Sequence, residues 1–484
     1  MKGLTKCSFF SGFLIMTCLI FLSFNVYSQQ SSIMYYMSGV PQSHLLNPAT
    51  QPRCGFYLGF PGVSPLQINA ENSAFGFSDV FSVEGDSLIL PLHPDADFKD
   101  FYNNFSKTNY VSADVSSSII SFGFRSGKIY QSYAITQRFF SRFSYPRDLI
   151  DFAYYGPVKG KEFDFSGFGA DLISYLEISS GVSQKINDMI TIGYRGKLLF
   201  GQANISTKKT DITFQSEDTW NTHTEFEINA ALPGVDIPTD ANGEFKYDDM
   251  EFDDDIQPFE IVSAVTGNFG LGLDLGAHIK PVDKLTISAS ILDLGYIRWK
   301  SSTYNITQNA DFIFDGVEFA FSDTSDFGQP LLDSLENVFT LNNSEIAYTT
   351  FLPAKVYLGL KYDIIEQISV GFLSRTEIYK GNLRQQFNLS VNFYPLKMIA
   401  ASFNYSIMNR TYNNFGMGLA LKAGPFNMYL ISDNVPLTYV REVSSNSLIP
   451  NTLRTVNFRM GFNLMFGCRN RKQAKAFKDV PLIY

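Results

Sequence analysis

The chain has 484 residues, of which 45% are hydrophobic, 15% aromatic and 18% charged, and it contains 46 Phe and 26 Tyr but only 2 Trp. Charged residues are scarcer than in an average soluble domain, and Phe and Tyr favour strands and membrane interfaces, so the composition predicts an all-β protein. The formal net charge of -9 argues against a nucleic-acid partner, because clustered Lys and Arg would have to neutralise its phosphates.

Residues 1–28 predict a cleaved signal peptide. A basic start precedes an apolar run over 9–26, and the small residues Val26 and Ser28 stand at positions -3 and -1 of a cleavage site before Gln29. An uncleaved membrane anchor is the alternative, and the polar residues that interrupt the run favour the signal peptide. No later stretch is apolar for roughly 18 consecutive residues, so we expect the mature chain to insert through strands.

Residues 29–53 precede the first predicted strand, and Asn47-Pro48-Ala49 predicts a turn within them. We expect this segment to lie in the periplasm or to fold into a barrel as a plug. Further along, Pro146 and Asp148 predict a short helix near 145–150, because Pro favours the first helical position and an acid favours the first turn.

Apolar and polar residues alternate with a period of two along much of the chain. Between Leu271 and Lys280 every second residue is apolar, and the same pattern recurs over 285–291, 387–393, 401–407 and 456–466. The polar positions are mostly Ser, Asn, Thr and Gly. Such small neutral groups suit a crowded wet lumen, while the apolar positions suit an exterior that faces lipid.

Turn signals divide this pattern into strands. Short turns are predicted at 126–127, 187–188, 281–283, 364–366, 395–397 and 424–425, with longer connectors between them. Short periplasmic turns that alternate with longer outer loops indicate an up-and-down antiparallel transmembrane β-barrel of about fourteen strands over 54–466. A further hairpin within 206–267 would give about sixteen strands, and residues 467–484 form a basic periplasmic tail.

The sequence contains no recognisable enzyme motif. The four histidines are far apart and form no metal-binding pattern, and Gly270, Gly272 and Gly276 lack the spacing of a dinucleotide fingerprint. The acidic stretch 244–255 lacks the spacing of a calcium loop and reads as a solvated outer loop. We therefore expect no catalytic residue, no metal ligand and no cofactor.

Two sets of residues are candidates for a structural or functional role. Four charged or polar residues fall at predicted lumen positions: Asp274, His278, Lys280 and Arg459. They could line a substrate path, but we favour the interpretation that they fill the barrel interior and form hydrogen bonds there. Cys54 and Cys468 flank the first and last strands, which are neighbours in a closed barrel. A disulfide at the rim and two free thiols are both compatible with this placement.

Several stretches resemble a Bacteroidota outer-membrane family of unknown function, domain-of-unknown-function family 5723. They are LNPA at 46–49, RFSYPRDL at 142–149, FGQANISTKK at 200–209, ILDLGYIRWK at 291–300 and YSIMNR at 405–410. More distantly, the early Asn-Pro-Ala and the predicted barrel are similar to the long-chain fatty-acid transporter superfamily, whose members carry apolar molecules through a plugged barrel. A departure is the basic extension beyond Phe466, where barrels of this kind often end.

The resemblance implies an outer-membrane protein that is not an enzyme. The function we expect is uptake or transport of an apolar or amphipathic small molecule. The alternative is a scaffold or accessory subunit of a cell-envelope or secretion complex, which would bind through its long acidic loops. The expected partners are therefore outer-membrane lipid and either a small apolar ligand or another envelope protein.

Overall fold

The structure of the chain is a computed structural model, and it describes residues 32–37, 39–76, 80, 82–84, 87–89, 91, 98–217, 220–236, 251–252, 267–314, 342–396, 398–408, 411–435, 439–441, 448–450 and 454–468. The predicted signal peptide, most of the acidic stretch 244–255 and the basic tail from residue 469 onward lie outside the described residues.

Strands dominate the described part of the chain. They are β1 (Phe56–Gly59), β2 (Leu66–Asn72), β3 (Ser82–Glu84), β4 (Ser87–Ile89), β5 (Thr108–Ser126), β6 (Ile129–Pro146), β7 (Glu162–Asp164), β8 (Gly169–Lys185), β9 (Ile190–Ser216), β10 (Trp220–Ala231), β11 (Val235–Asp236), β12 (Glu251–Phe252), β13 (Phe269–Val282), β14 (Leu285–Trp299), β15 (Thr303–Phe314), β16 (Asn342–Ser344), β17 (Tyr348–Phe351), β18 (Ala354–Ile365), β19 (Ile368–Tyr379), β20 (Asn382–Leu396), β21 (Ile399–Met408), β22 (Thr411–Ala423), β23 (Phe426–Ser432), β24 (Tyr439–Arg441), β25 (Leu448–Pro450) and β26 (Thr455–Phe466).

Helices are short. Two 3-10 helices cover Ile33–Tyr35 and Pro41–Leu45, and two α-helices cover α1 (Phe98–Asn103) and α2 (Asp148–Tyr155). The helix predicted near 145–150 is present as α2, but it begins at Asp148, because Pro146 is the last residue of β6. Among the described helices, none is long and apolar enough to cross a membrane.

The long strands close into a barrel. Consecutive wall strands pair as antiparallel hairpins, and β26 returns to pair with β1 and β2, which in turn pair with β5. With β1 and β2 counted as the two halves of one strand, the wall is a closed antiparallel barrel of 14 strands. The predicted fold class is therefore confirmed. The six predicted short turns all separate neighbouring wall strands.

The alternative of sixteen strands is wrong. The segment after β9 does contain a further strand, β10, but it pairs with the far end of β9 and with β15. Because β15 follows directly on the C-terminal end of β14, at the mouth opposite the short turns, these strands extend the sheet beyond the wall and add no strand to it. We call β10, the far end of β9, β15 and β16 the sheet extension.

The two faces of the wall differ as the alternation predicts. On β13, Leu271, Leu273 and Leu275 are 44%, 40% and 41% exposed, while Asp274 is fully buried. Large apolar side chains are exposed in the same way on the other wall strands. A contiguous apolar exterior of this extent is rare on soluble proteins and is typical of barrels in lipid.

A bulge in β14 reverses the alternation at one point. Leu292 and Asp293 together stand opposite Asp274 of β13, and Asp293 has a positive φ of 59°. One extra residue in a strand turns the following side chains to the other face. The bulge therefore buries both Leu292 and Asp293, and Ile297 and Trp299 face inward further along.

Candidate functional site

The barrel lumen is occupied by the chain's own N-terminal segment. We call described residues 32–37 and 39–53 the plug; almost all of them are buried. Ile33, Met34, Met37 and Val40 are at most 1% exposed and form one apolar cluster with inward-facing wall residues. The wall residues of that cluster are Leu292, Tyr357, Leu373, Ala400, Ala420, Tyr429 and Ile431.

Hydrogen bonds hold both halves of the plug to the wall. The backbone N–H groups of Ser32 and Ile33 donate to the Asp433 carboxylate at 3.0 and 2.8 Å. Arg195 donates through Nη2 to the carbonyl oxygen of His44 at 2.7 Å, and the same nitrogen lies 2.8 Å from His44 Nδ1. On the other side of the ring, His44 Nε2 lies 2.7 Å from the Tyr57 hydroxyl.

These contacts define the protonation state of His44. Burial and then the Arg195 charge hold the pKa of His44 well below its usual value. The imidazole is therefore neutral, so Nδ1 accepts from Arg195 while Nε2–H donates to the Tyr57 oxygen. His44 thereby links the plug to β9 and β1 at once.

The Asn-Pro-Ala turn fits against the wall. Ala49 N donates to Asn47 Oδ1 at 2.9 Å, and Asn47 Nδ2 donates to the Tyr35 hydroxyl at 2.9 Å. A Cβ added at Gly193 would lie 2.2 Å from the Pro48 carbonyl carbon, and one added at Gly276 would lie 2.2 Å from Asn47 Oδ1. The motif and these two strand glycines therefore form a close contact between plug and wall.

Beside the plug, inward-facing charges form a network of ion pairs. Lys197 Nζ lies 2.8 Å from Asp274 and 2.5 Å from Asp293, and Arg195 Nη1 lies 3.1 Å from Asp274. Other pairs continue it: Arg138–Glu177 at 3.4 Å, Lys355–Asp293 at 3.2 Å, Arg142–Glu377 at 3.1 Å and Arg375–Glu377 at 2.7 Å. We call these residues, with Asp114 and Arg384, the lumen network.

The four predicted lumen residues do not form one site. Asp274 belongs to the lumen network, and Arg459 lines a cavity together with Lys197. His278 lies elsewhere, nearer the short turns, where its Nε2 is 2.9 Å from the Thr50 hydroxyl of the plug. Lys280 follows two residues later, at the end of β13.

Sequence reasoning missed most of the lumen network. The polar face was expected to carry mainly small neutral groups, whereas Arg138, Glu177, Arg195 and Lys197 all face inward from β6, β8 and β9. The signal was present, because Arg195 and Lys197 alternate with exposed Tyr194 and Leu198.

Two small cavities adjoin the lumen network. One, of about 30 Å³, lies between Arg138, Tyr175, Asp293 and Lys355 and is otherwise lined largely by apolar residues. The other, of about 40 Å³, lies against the plug at Leu45 and Leu46. Since one water needs about 10–15 Å³ of such space, each has room for a few water molecules.

Aromatic residues cluster at the mouth opposite the short turns, where α1 precedes β5 and α2 follows β6. The rings of Phe98 and Tyr154 are stacked with centroids 3.4 Å apart, and Arg147 lies 3.8 Å above the Tyr102 ring. Tyr154 and Tyr155 are 39% and 60% exposed. We call this group the aromatic cap; its further members are Phe75, Phe101, Phe105, Tyr145 and Phe168.

At the opposite rim, Cys54 and Cys468 form a disulfide across 414 positions of sequence. It packs with Tyr57, Tyr130 and Met465. The disulfide therefore joins the C-terminal end of the plug to the end of β26. The first described residues of the plug are held to the wall by noncovalent contacts.

One group of potential metal ligands occurs among the described residues, on the sheet extension. The ligand atoms of Asp211, His223 and Glu225 lie within 4.8 Å of one another. Each is already engaged within the protein: Ser166 donates to Asp211, Lys209 pairs with Glu225, and His223 Nδ1 lies 2.7 Å from Asp311.

Comparisons with known proteins give a family and a distant structural likeness. A profile described as a family of unknown function (DUF5723) matches residues 48–433. No curated protein shows significant sequence similarity to the chain.

Among solved structures, the toluene transporter TbuX of Ralstonia pickettii is similar at 9% identity and a TM-score of 0.40, over 91% of this chain and 99% of that chain. A FadL homologue of Pseudomonas aeruginosa is similar at 10% identity and a TM-score of 0.36, over 92% and 100% of the two chains. The translocator domain of the autotransporter NalP from Neisseria meningitidis follows at 8% identity and a TM-score of 0.29, over 85% and 88%. These likenesses are too distant to assign a function.

Proposed function

The chain belongs to this family of unknown function, and we propose that it is an outer-membrane uptake barrel for an apolar or amphipathic small molecule. In this proposal residues 1–28 are removed on export, the apolar exterior of the wall contacts the lipid, and the aromatic cap faces outward.

The observation that carries the proposal is the aromatic cap above a lumen that the chain itself fills. Exposed aromatic rings at the outer mouth provide a surface on which an apolar molecule can adsorb from water. The plug keeps the barrel from leaking water-soluble solutes. Because the two cavities hold only a few waters, passage of a ligand requires the plug to shift.

The plug is suited to such a shift. Its apolar half contacts the wall mainly through aliphatic and aromatic side chains, and Asp433 holds its first described residues. Apolar contacts are non-directional and can be exchanged for contacts with an apolar ligand. The chain itself keeps a displaced plug attached to β1, and the disulfide at the rim ties that same point to the end of β26.

Uptake by cells tests the proposal. A bacterial host without its own uptake of hydrophobic compounds would express the full chain and receive a radiolabelled long-chain fatty acid or monoaromatic hydrocarbon. We expect uptake of at least one probe to rise over the empty host, and the double variant Tyr154→Asp and Tyr155→Asp to reduce it. Ile346→Asp is the control, because Ile346 is 64% exposed, close to the 60% of Tyr155, but lies between β16 and β17 and not on α1 or α2. Equal uptake in all strains would overturn the proposal.

The sheet extension favours a second candidate, a scaffold or accessory subunit of an envelope complex. It projects a polar sheet beyond the wall, where strands present backbone groups to partners. Gentle detergent extraction tests this candidate. Two short turns would replace the extension and leave the wall strands in place, one for β10 between β9 and β13 and one for β15 and β16 between β14 and β17. A stoichiometric protein that co-purifies with the barrel, and is lost in this variant, would support the scaffold over uptake.

A further inference from the structure

Arg459 is a buried arginine that forms no ion pair with any residue the structure describes. It faces inward from β26 and is 5% exposed. No carboxylate in the described part of the chain lies within ion-pair distance of it. Its Nη1 donates to Met34 Sδ of the plug at 3.4 Å, and its Nε has no hydrogen-bond partner among the described residues. Thioether sulfur is a weak acceptor, so this contact compensates the charge poorly.

The carboxylates around Arg459 are already paired with other cations, so they leave its positive charge uncompensated. The other cations near it each pair with a carboxylate, in the pairs Arg138–Glu177, Arg195–Asp274, Lys197–Asp293 and Lys355–Asp114. Asp433 acts on Arg459 electrostatically, but its oxygens accept from the backbone of Ser32 and Ile33. An unpaired charge removed from water is strongly destabilising unless something compensates it.

The guanidinium lines the cavity of about 40 Å³ beside the plug. Lys197, Lys355 and Arg138 line the same cavity, and Ser116, Thr136 and Gln67 add hydroxyl and amide groups. Glu177 and Asp293 also reach it, so four cations face two carboxylates. The cavity is therefore polar, positive and large enough for one small ion.

We propose that this cavity binds one small monovalent anion, a halide or a carboxylate of one or two carbons, against Arg459. The anion compensates the charge of Arg459 and receives hydrogen bonds from the guanidinium and a neighbouring hydroxyl. This site does not depend on the proposed uptake function, because it follows from charge and space inside the barrel.

Bromide gives the direct test, since it replaces chloride and scatters anomalously. Crystals of the full chain grown in sodium bromide should show an anomalous peak in contact with the Arg459 guanidinium. Only water in the cavity, or bromide confined to surface lysines as an adventitious ion only, would overturn the proposal.

Thermal unfolding in detergent provides a test in solution. At equal ionic strength, chloride or acetate should raise the unfolding temperature of the chain over gluconate in a saturable manner, because an ion that binds only the folded state stabilises it. Arg459→Gln should lose this anion dependence. Arg384→Gln is the matched control and should keep it, because Arg384 lies 4.0 Å from Glu71 and 3.9 Å from Glu377.

Two further outcomes are decisive. If Arg459→Gln does not fold, Arg459→Lys should fold and retain a bromide peak. If chloride and acetate have no effect while long-chain carboxylates stabilise the chain, the cation serves the head group of a transported amphiphile, and the small-anion proposal is wrong.

Discussion

His44 is the residue on which the attachment of the plug depends most clearly. His44→Ala removes an acceptor from Arg195 and leaves the buried Tyr57 hydroxyl without its partner. An unsatisfied buried polar group costs about 1–3 kcal/mol, so we expect the free energy of unfolding to fall by about that amount. Urea unfolding in lipid vesicles measures it. His223→Ala is the control, since His223 lies on the sheet extension, and its effect should stay within about 0.5 kcal/mol. Equal losses in both variants would contradict this role.

Because His44 is neutral in the folded chain, the free energy of unfolding should depend on pH, and this dependence can be measured separately. Its pKa is well below 6.5 in the folded chain and returns to the usual 6.5 on unfolding. Protonation therefore favours the unfolded state, so its contribution to stability is complete above pH 6.5 and declines as the pH falls below that value. The difference in unfolding free energy between the wild type and His44→Gln should shrink from pH 7.5 to pH 5.5. A difference that grows toward acid pH would contradict a neutral buried imidazole.

At the scale of elements, Asp433 anchors the start of the plug. Asp433→Asn weakens charge-assisted hydrogen bonds to the backbone of Ser32 and Ile33, which contribute about 1.5–3 kcal/mol when they involve a charged group. We expect amide exchange of the plug over 33–37 to accelerate at least about tenfold while exchange of the wall strands stays unchanged. Asp283→Asn, in an exposed turn, is the control. Uniform acceleration across the wall would show instead that Asp433 supports the whole barrel.

The lipid-facing side of β20 allows a test of whether the cost of a buried charge depends on its depth in the bilayer. Leu389 stands in the middle of the strand and is 56% exposed, whereas Leu383 stands near its first residue and is 70% exposed. Arginine on the lipid face costs about 2–4 kcal/mol at the bilayer midplane and about 0–1 kcal/mol near the interface. Leu389→Arg should therefore lower the unfolding free energy in vesicles by more than Leu383→Arg does. Equal costs would argue that this face does not contact acyl chains.

The wall was predictable from sequence because its signal is local. Alternation and turn residues located the wall strands and the short turns, since each depends on neighbours only a few residues away. The bulge at Asp293 was not predictable, because it is defined by Asp274 on another strand. The contact of Ser32 with Asp433 joins residues 401 positions apart, and no local pattern encodes such a pair.

The lumen was predictable only in part for a related reason. Inward positions can be assigned by alternation, so Asp274 and Arg459 were recognised as lumen residues. Which charges pair depends on the closed ring, which brings β6, β8, β9, β14 and β18 together across the lumen. The uncompensated positive charge of Arg459 becomes apparent only after those ion pairs are known.

At the scale of the whole molecule, three features act together: an apolar exterior, a closed ring of strands and a lumen occupied by the plug. A closed ring leaves no unpaired edge in lipid, which is the condition for a sheet to span a membrane. Barrels with an unfilled lumen of this kind form aqueous channels. The plug therefore distinguishes this chain from a general porin.

Conductance of the intact protein in a planar lipid bilayer tests that distinction most directly. With the plug in place, inserted barrels should give no stable open-channel steps in concentrated potassium chloride, since the plug packs against the wall and the two cavities beside the lumen network have room for only a few waters each. Long-lived porin-like steps from the unmodified chain would mean that the lumen is open to ions, and would contradict a barrel sealed by its own N-terminal segment.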